Sequence, residues 1–142
     1  VYLGGTGAAN KLDDYEEGTY IPSITQGASS VVYVARNAEY IKIGRVVTVR
    51  ALIDVNITSD GSDARISLPF VAASAVGSSA WVASGRVSGS AFTDNSTTLF
   101  APVVPVSTAT LRIDPYIVGS SQTFVTGTSK RIEFFMTYQT TA

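Results

Sequence analysis

Most of the chemistry that this sequence could support rests on carboxylates, and four of them lie within the five residues 13–17, DDYEE. A metal site or a catalytic acid pair is one interpretation, because hard cations prefer carboxylate oxygens that meet at one point. In an extended strand, however, neighbouring side chains point to opposite faces. We therefore expect an acidic strand start whose charges meet arginine or solvent, with Tyr15 and Ile21 facing the core.

The other acids could serve a glycoside hydrolase, which needs two carboxyl groups about 5–9.5 Å apart. The candidate acids are Asp54, Asp94, Asp114 and Glu133. No motif pairs any two of them, so we predict that the chain is not an enzyme. Asp60 and Asp63 resemble part of a calcium loop, but its closing glutamate is absent and turn chemistry explains them better.

The composition excludes several further kinds of site. The chain has no Cys and no His, which rules out disulfides, Cys/His zinc sites and imidazole catalysis within it. Lys and Arg together number 10 against 11 Asp and Glu, so no basic surface for nucleic acid is expected. No run approaches the roughly 20 apolar residues of a membrane span. We predict no cofactor, no metal, no nucleic-acid partner and no membrane insertion.

Aromatic and amide side chains suggest carbohydrate recognition, which needs a flat apolar surface for the sugar ring and planar polar groups for its hydroxyls. The candidates are Trp81, Tyr33 and Tyr116 as aromatics, with Asp94, Asn95 and Asp114 as polar groups. The loop of residues 89–96 has nothing to bury, and recognition residues often lie on such loops. We predict ligand binding by Trp81, Asp94, Asn95 and Tyr116; the alternative for each aromatic is a place in the core or a subunit interface.

Alternating strands would have to position these residues. Every odd position of residues 47–57 is apolar, and residues 131–139 alternate again, so one face of each strand should be buried. Gly44 predicts a bend before the long strand. Asp60-Gly61 predicts a hairpin whose return strand has Ala64, Ile66, Leu68 and Phe70 on its inward face. Residues 36–37 are expected to form a turn.

The chain as a whole favours an all-β fold, because β-branched residues are abundant and no helical pattern is present. We predict an antiparallel β-sandwich, jelly-roll-like, with about eight or nine strands. Residues 12–142 form the single domain. Residues 1–11 are Gly-rich and read as a connector, and the initial Val suggests a piece of a longer polypeptide.

Three segments together resemble the C-terminal domain of bacteriophage tail fibres and tailspikes: residues 12–22 (LDDYEEGTYIP), 40–49 (YIKIGRVVTV) and 68–70 (LPF). Tyr20 and Ile21 stand where that family has Trp and Thr. The resemblance covers the first half of the chain and carries over no catalytic residue.

The resemblance implies a homotrimeric, receptor-binding domain of the virion, on the side of the phage tail that faces the host, with an upstream stalk before residues 1–11. Its ligand would be bacterial surface polysaccharide or lipopolysaccharide, bound during host attachment. The alternative is a structural trimerisation cap with no ligand of its own, and a glycan hydrolase is a third possibility.

Overall fold

The computed structural model describes residues 14–73, 80–82, 84–88, 90–91, 100–105, 107–115 and 123–140. These residues form an all-β structure, and no helix that could cross a membrane occurs among them. The strands are β1 (Tyr15–Tyr20), β2 (Ile24–Gln26), β3 (Ala28–Ile43), β4 (Val46–Ser59), β5 (Arg65–Ser67), β6 (Ala80–Val82), β7 (Ser84–Ser88), β8 (Phe100–Pro105), β9 (Thr110–Pro115) and β10 (Gly127–Gln139). Three of them span only three residues, too few to show an alternating pattern.

The strands pair antiparallel in the order β1-β3-β4-β10-β7-β8-β9-β5-β2, and β6 pairs with β8 beside this path. The two end strands, β1 and β2, are joined by only three residues, 21–23. Eight strand spacings of about 4.8 Å would separate them by roughly 38 Å in a flat sheet. The connection can reach only about 14 Å, so the sheet curves back on itself.

The core lies along β4 and its neighbour β10, as the alternation predicts. The buried residues of the two strands are Val47, Val49, Ala51, Ile53, Val55, Ile57, Ile132, Phe134, Met136 and Tyr138. Register pairs such as Ile53 with Ile132 and Ala51 with Phe134 place these side chains on one face. The buried face predicted for β4 is confirmed, and β10 buries one of its two faces, as its alternation predicts.

The chain turns back completely at Gly44, where the sequence predicts only a bend. Residues 44–45 connect β3 and β4, whose register begins with Ile43 opposite Val46. Gly44 has a φ of 57°, which glycine adopts without the steric cost that a Cβ would bring. The turn predicted at residues 36–37 is wrong, because β3 continues through them; its irregularity lies between Tyr33 and Ala35.

The hairpin predicted around Asp60-Gly61 is also wrong, because β5 pairs with β2 and β9 and not with β4. The turn itself is present: the Asp60 carboxylate accepts hydrogen bonds from the backbone N–H and the hydroxyl of Ser62. Ala64, Ile66 and Leu68 are buried, as predicted for the return segment. Local sequence therefore determines the turn and the buried face, whereas the pairing of β5 depends on segments far away in the sequence.

Candidate functional site

The acidic segment of β1 is a structural element. Asp14 forms an ion pair with Lys42 at 2.6 Å, and the Glu16 carboxylate accepts a hydrogen bond of 2.6 Å from the Tyr40 hydroxyl. Glu17 accepts a hydrogen bond from Tyr15. No group of three metal-ligating side chains occurs in the described parts of the chain. Asp14 and Glu16 thus meet a lysine and a tyrosine hydroxyl on β3, and Glu17 meets a tyrosine on β1 itself. The sequence predicts arginine or solvent as the partners of these charges.

The prediction that Tyr15 and Ile21 face the core is wrong. Their side chains are 46% and 67% exposed. Tyr20 points inward instead: burial raises the pKa of its hydroxyl, which has no hydrogen-bond partner among the described atoms. The side chains predicted to point into the core therefore point to solvent, and Tyr20, on the opposite face, points into the core.

Three distant segments meet at Tyr40. Gly18 lies opposite Tyr40 in the β1–β3 register, and a Cβ on Gly18 would lie only 2.9 Å from the Tyr40 hydroxyl oxygen. Phe70 packs edge-on against the Tyr40 ring, with ring centroids 5.0 Å apart. We call Glu16, Gly18, Tyr40 and Phe70 the tyrosine clamp. The clamp gives a packing reason for the Glu-Glu-Gly-Thr, Tyr-x-Lys and Leu-Pro-Phe elements to occur together.

The outer face of the sheet is formed by the exposed side chains of β1, β3, β4 and β10. Cross-strand register arranges them in rows that run across the strands. One row contains Thr19, Glu39, Arg50 and Phe135, each directly opposite the next. The adjacent row contains Asn37, Leu52 and Glu133. These two rows bring residues from both ends of the chain to one surface.

An open groove of about 820 Å³ crosses these two rows. It is lined by Thr19, Tyr20, Ile21, Arg36, Asn37, Ala38, Glu39, Arg50, Ala51, Leu52, Glu133, Phe134 and Phe135. Its volume is within the range of about 300–1,000 Å³ that is typical of small-molecule sites. We therefore take this groove, which we call the outer groove, as the candidate functional site.

The outer groove combines one exposed aromatic ring with planar polar groups. Phe135 is 53% exposed although it lies on the otherwise polar face of β10. Next to it, the Arg50 side chain is 77% exposed and its guanidinium lies 3.9 Å from the Glu39 carboxylate. The Asn37 amide completes a set that can both donate and accept hydrogen bonds. The outer groove thus presents an apolar surface beside hydrogen-bond donors and acceptors.

A charge pair borders the outer groove. Arg131 donates hydrogen bonds of 2.7 and 2.9 Å to the two carboxylate oxygens of Asp54. These bonds hold the pKa of Asp54 below its ordinary value. A catalytic acid must carry a proton near neutral pH, so Asp54 is unsuited to that role.

The outer face becomes apolar toward the β3–β4 turn. Tyr15, Ile43 and Val46 form one row, and Ile41 lies in the next row. All four side chains are between 43% and 49% exposed. We call these residues the apolar corner. Exposed apolar side chains in adjacent rows form a contiguous patch, which is a feature of surfaces that bind other molecules.

Of the four predicted binding residues, only Trp81 lies in the described part of the chain. Asp94, Asn95 and Tyr116 lie outside the described residues. Trp81 lies on β6, where its backbone pairs with Val104 of β8. The outer groove therefore shares no strand with Trp81.

Tyr33 and Asp114 are the two further candidates that the sequence offers. Tyr33 packs against the core and accepts a hydrogen bond from the Ile24 N–H, while the Arg36 guanidinium lies 3.8 Å from the centre of its ring. It is therefore not a free stacking surface. Asp114 lies on β9.

Sequence reasoning missed Phe135, Arg50, Asn37 and Glu39 as site residues and considered Glu133 only as a catalytic acid. The available signal was Phe135, an aromatic residue at a position where β10 alternates toward its polar face.

Searches with protein-family models, among curated proteins and among solved structures find no match to this chain.

Proposed function

We propose that this chain is the distal domain of a bacteriophage tail fibre or tailspike, and that it binds bacterial surface carbohydrate without catalysing a reaction on it. The observation that carries the proposal is the outer groove, in which the exposed Phe135 ring lies beside Arg50, Glu39 and Asn37. The ligand is surface polysaccharide or lipopolysaccharide, and the domain acts in the virion on the side of the tail that faces the host.

The tyrosine clamp supports the resemblance to tail fibres. The three segments that carry the resemblance are separate in sequence, yet Gly18 and Phe70 both lie against Tyr40 in the structure. A set of residues that forms one packing unit has a reason to be retained together. The clamp is an argument for kinship with that fold and gives no information about the ligand.

We further propose an antiparallel β-sandwich of jelly-roll type as the architecture. Its support is the sheet order, in which β1 and β2 lie at opposite ends although only residues 21–23 connect them. A sheet that folds over itself to bring these ends together packs two layers on one core, which β4 and β10 line from one side.

A second candidate function, a trimerisation cap of the fibre, is favoured by the apolar corner. Tyr15, Ile41, Ile43 and Val46 expose an apolar patch next to β1, the end strand of the sheet. A homotrimer would bury this patch between copies. The patch contains no charged residue, and the cores of subunit interfaces are likewise poor in charged residues. The cap and the receptor use different parts of the outer face, so one domain can serve both roles.

A glycan hydrolase receives less support. Of the candidate acids, Asp54 is bound by Arg131 through both carboxylate oxygens. Glu133 has a half-exposed side chain, with an Arg131 nitrogen 3.9 Å from its carboxylate. Neither lies in the buried, apolar environment that is typical of a catalytic acid.

Adsorption to cells tests the proposal. The purified chain, carrying a fluorescent label, is mixed with a panel of bacterial strains, and bound protein is measured by flow cytometry. We expect the wild-type chain to adsorb to at least one strain and Phe135→Ala to lose that adsorption at an unchanged melting temperature. Val32→Ala is the control, because Val32 is 59% exposed and lies outside the outer groove. Equal adsorption by both variants, or no adsorption to any strain, would refute the proposal.

A further inference from the structure

The outer groove also carries information about the size of its ligand. Its lining runs across β1, β3, β4 and β10, from Thr19 and Ile21 on one side to Phe135 on the other. Three strand spacings of about 4.8 Å separate the outer two strands, so the groove is roughly 14 Å wide across the strands. A ligand that contacts both sides is longer than a single pyranose ring.

The lining also limits the charge of the ligand. Among the described side chains it contains two arginines, Arg36 and Arg50, and two glutamates, Glu39 and Glu133. The Arg36 guanidinium lies over the Tyr33 ring, and that of Arg50 is 3.9 Å from Glu39. A carboxylate bound at Arg50 would therefore lie near the Glu39 carboxylate, and the two like charges would repel each other.

Uncharged hydroxyl groups fit the same side chains without this penalty. A glutamate carboxylate accepts hydrogen bonds from two neighbouring hydroxyls, a guanidinium donates to two oxygens, and the Asn37 amide does both. Leu52 lies between Asn37 and Glu133 in the cross-strand row and adds apolar surface at the floor. The set matches a sugar that presents hydroxyl pairs at its edge and carbon-bound hydrogens on its face.

From this geometry, and resting on the proposed function, we infer that the outer groove binds a neutral oligosaccharide segment of at least three sugar units, laid across the strands with one ring on Phe135. Acidic saccharides, such as those that contain uronic or sialic acids, should bind more weakly than neutral ones, because Glu39 repels their carboxylates. This identifies the class of surface polysaccharide that the chain recognises.

The test is an array of fragments from bacterial surface polysaccharides, one to six sugar units long, with neutral and acidic members at each length. Wild-type chain should bind neutral fragments of three or more units and should bind single sugars weakly or not at all. Phe135→Leu keeps an apolar side chain but removes the flat ring, so its affinity should fall about threefold to tenfold. Phe135→Trp keeps a flat ring and should retain binding.

Three results would overturn the inference: preferential binding of acidic fragments, equal binding of one-unit and three-unit fragments, or full binding by Phe135→Leu. An array on which no fragment binds would also overturn it. Adsorption to cells distinguishes this failure from failure of the proposed function. If the wild-type chain still adsorbs to cells and Phe135→Ala does not, the proposed function stands and only the ligand class is wrong.

Discussion

Gly18→Ala should destabilise the domain because of one side chain, Tyr40. The added Cβ would lie 2.9 Å from the hydroxyl oxygen and 3.0 and 3.1 Å from two ring carbons of Tyr40. Carbon atoms at that separation overlap, so the ring must move. Its movement is resisted by the 2.6 Å hydrogen bond to Glu16 and by the edge contact with Phe70.

The size of the effect follows from these contacts. Inserting a methyl group into a packed site typically costs about 1–3 kcal/mol. Alanine also reduces the freedom of the unfolded chain, which returns about 0.4–1 kcal/mol where the backbone tolerates it. We expect a net loss of about 1–2 kcal/mol in the free energy of unfolding, or roughly 3–8 °C in melting temperature for a chain of this size.

A double-mutant cycle measured by urea denaturation isolates the cause. In the Tyr40→Leu background the ring is gone, so adding Gly18→Ala should cost almost nothing or stabilise slightly. If Gly18→Ala costs the same free energy in both backgrounds, the tyrosine clamp is not the reason for the glycine. Gly61→Ala is unsuitable as the control because Gly61 has a φ of 79° and a strain of its own.

The remaining predictions concern the core, the charge pair and the buried tyrosine. Ile53→Asp places an unpaired charge in the core and should abolish the cooperative melting transition, whereas Asp54→Ser, one position along, should leave a folded chain. Arg131 lowers the pKa of Asp54, so the pair stabilises the folded state above the ordinary pKa of 3.8 and loses that contribution as the pH falls through the lowered pKa. The difference in urea midpoint between wild type and Asp54→Asn should therefore be largest near neutral pH and should shrink as the pH falls below 3.8. Tyr20→Phe removes a buried hydroxyl without a described partner and should leave the melting temperature unchanged or higher; a fall of several degrees would mean that the hydroxyl is satisfied.

The alternation of β4 and β10 could be predicted from the sequence, because burial there follows the period of two. The apolar positions of β4 and β10 needed no knowledge of partners. β1 shows where this reasoning fails: Tyr15, Tyr20 and Ile21 are all apolar enough to be core residues, and only the pairing of Gly18 with Tyr40 decides which of them points inward.

Pairing partners and the candidate site could not be predicted, because both depend on register between distant segments. Asp60-Gly61 has the chemistry of a hairpin turn, yet β5 finds its partners in β2 and β9. Phe135 is visible in the sequence as an aromatic on a polar face. Its neighbours are not visible in the sequence. The register of β3, β4 and β10 places Arg50 beside Phe135 and Asn37 in the next row.

The central claim is that the outer groove is where carbohydrate binds. The most direct measurement is a titration of the isotopically labelled chain with surface polysaccharide from a strain that adsorbs it, followed by NMR chemical shifts of the backbone amides. We expect the largest changes at Asn37, Leu52 and Phe135, with little change at the apolar corner. Changes confined to Trp81, residues 94–95 and Tyr116 would contradict the groove and support the sites predicted from the sequence.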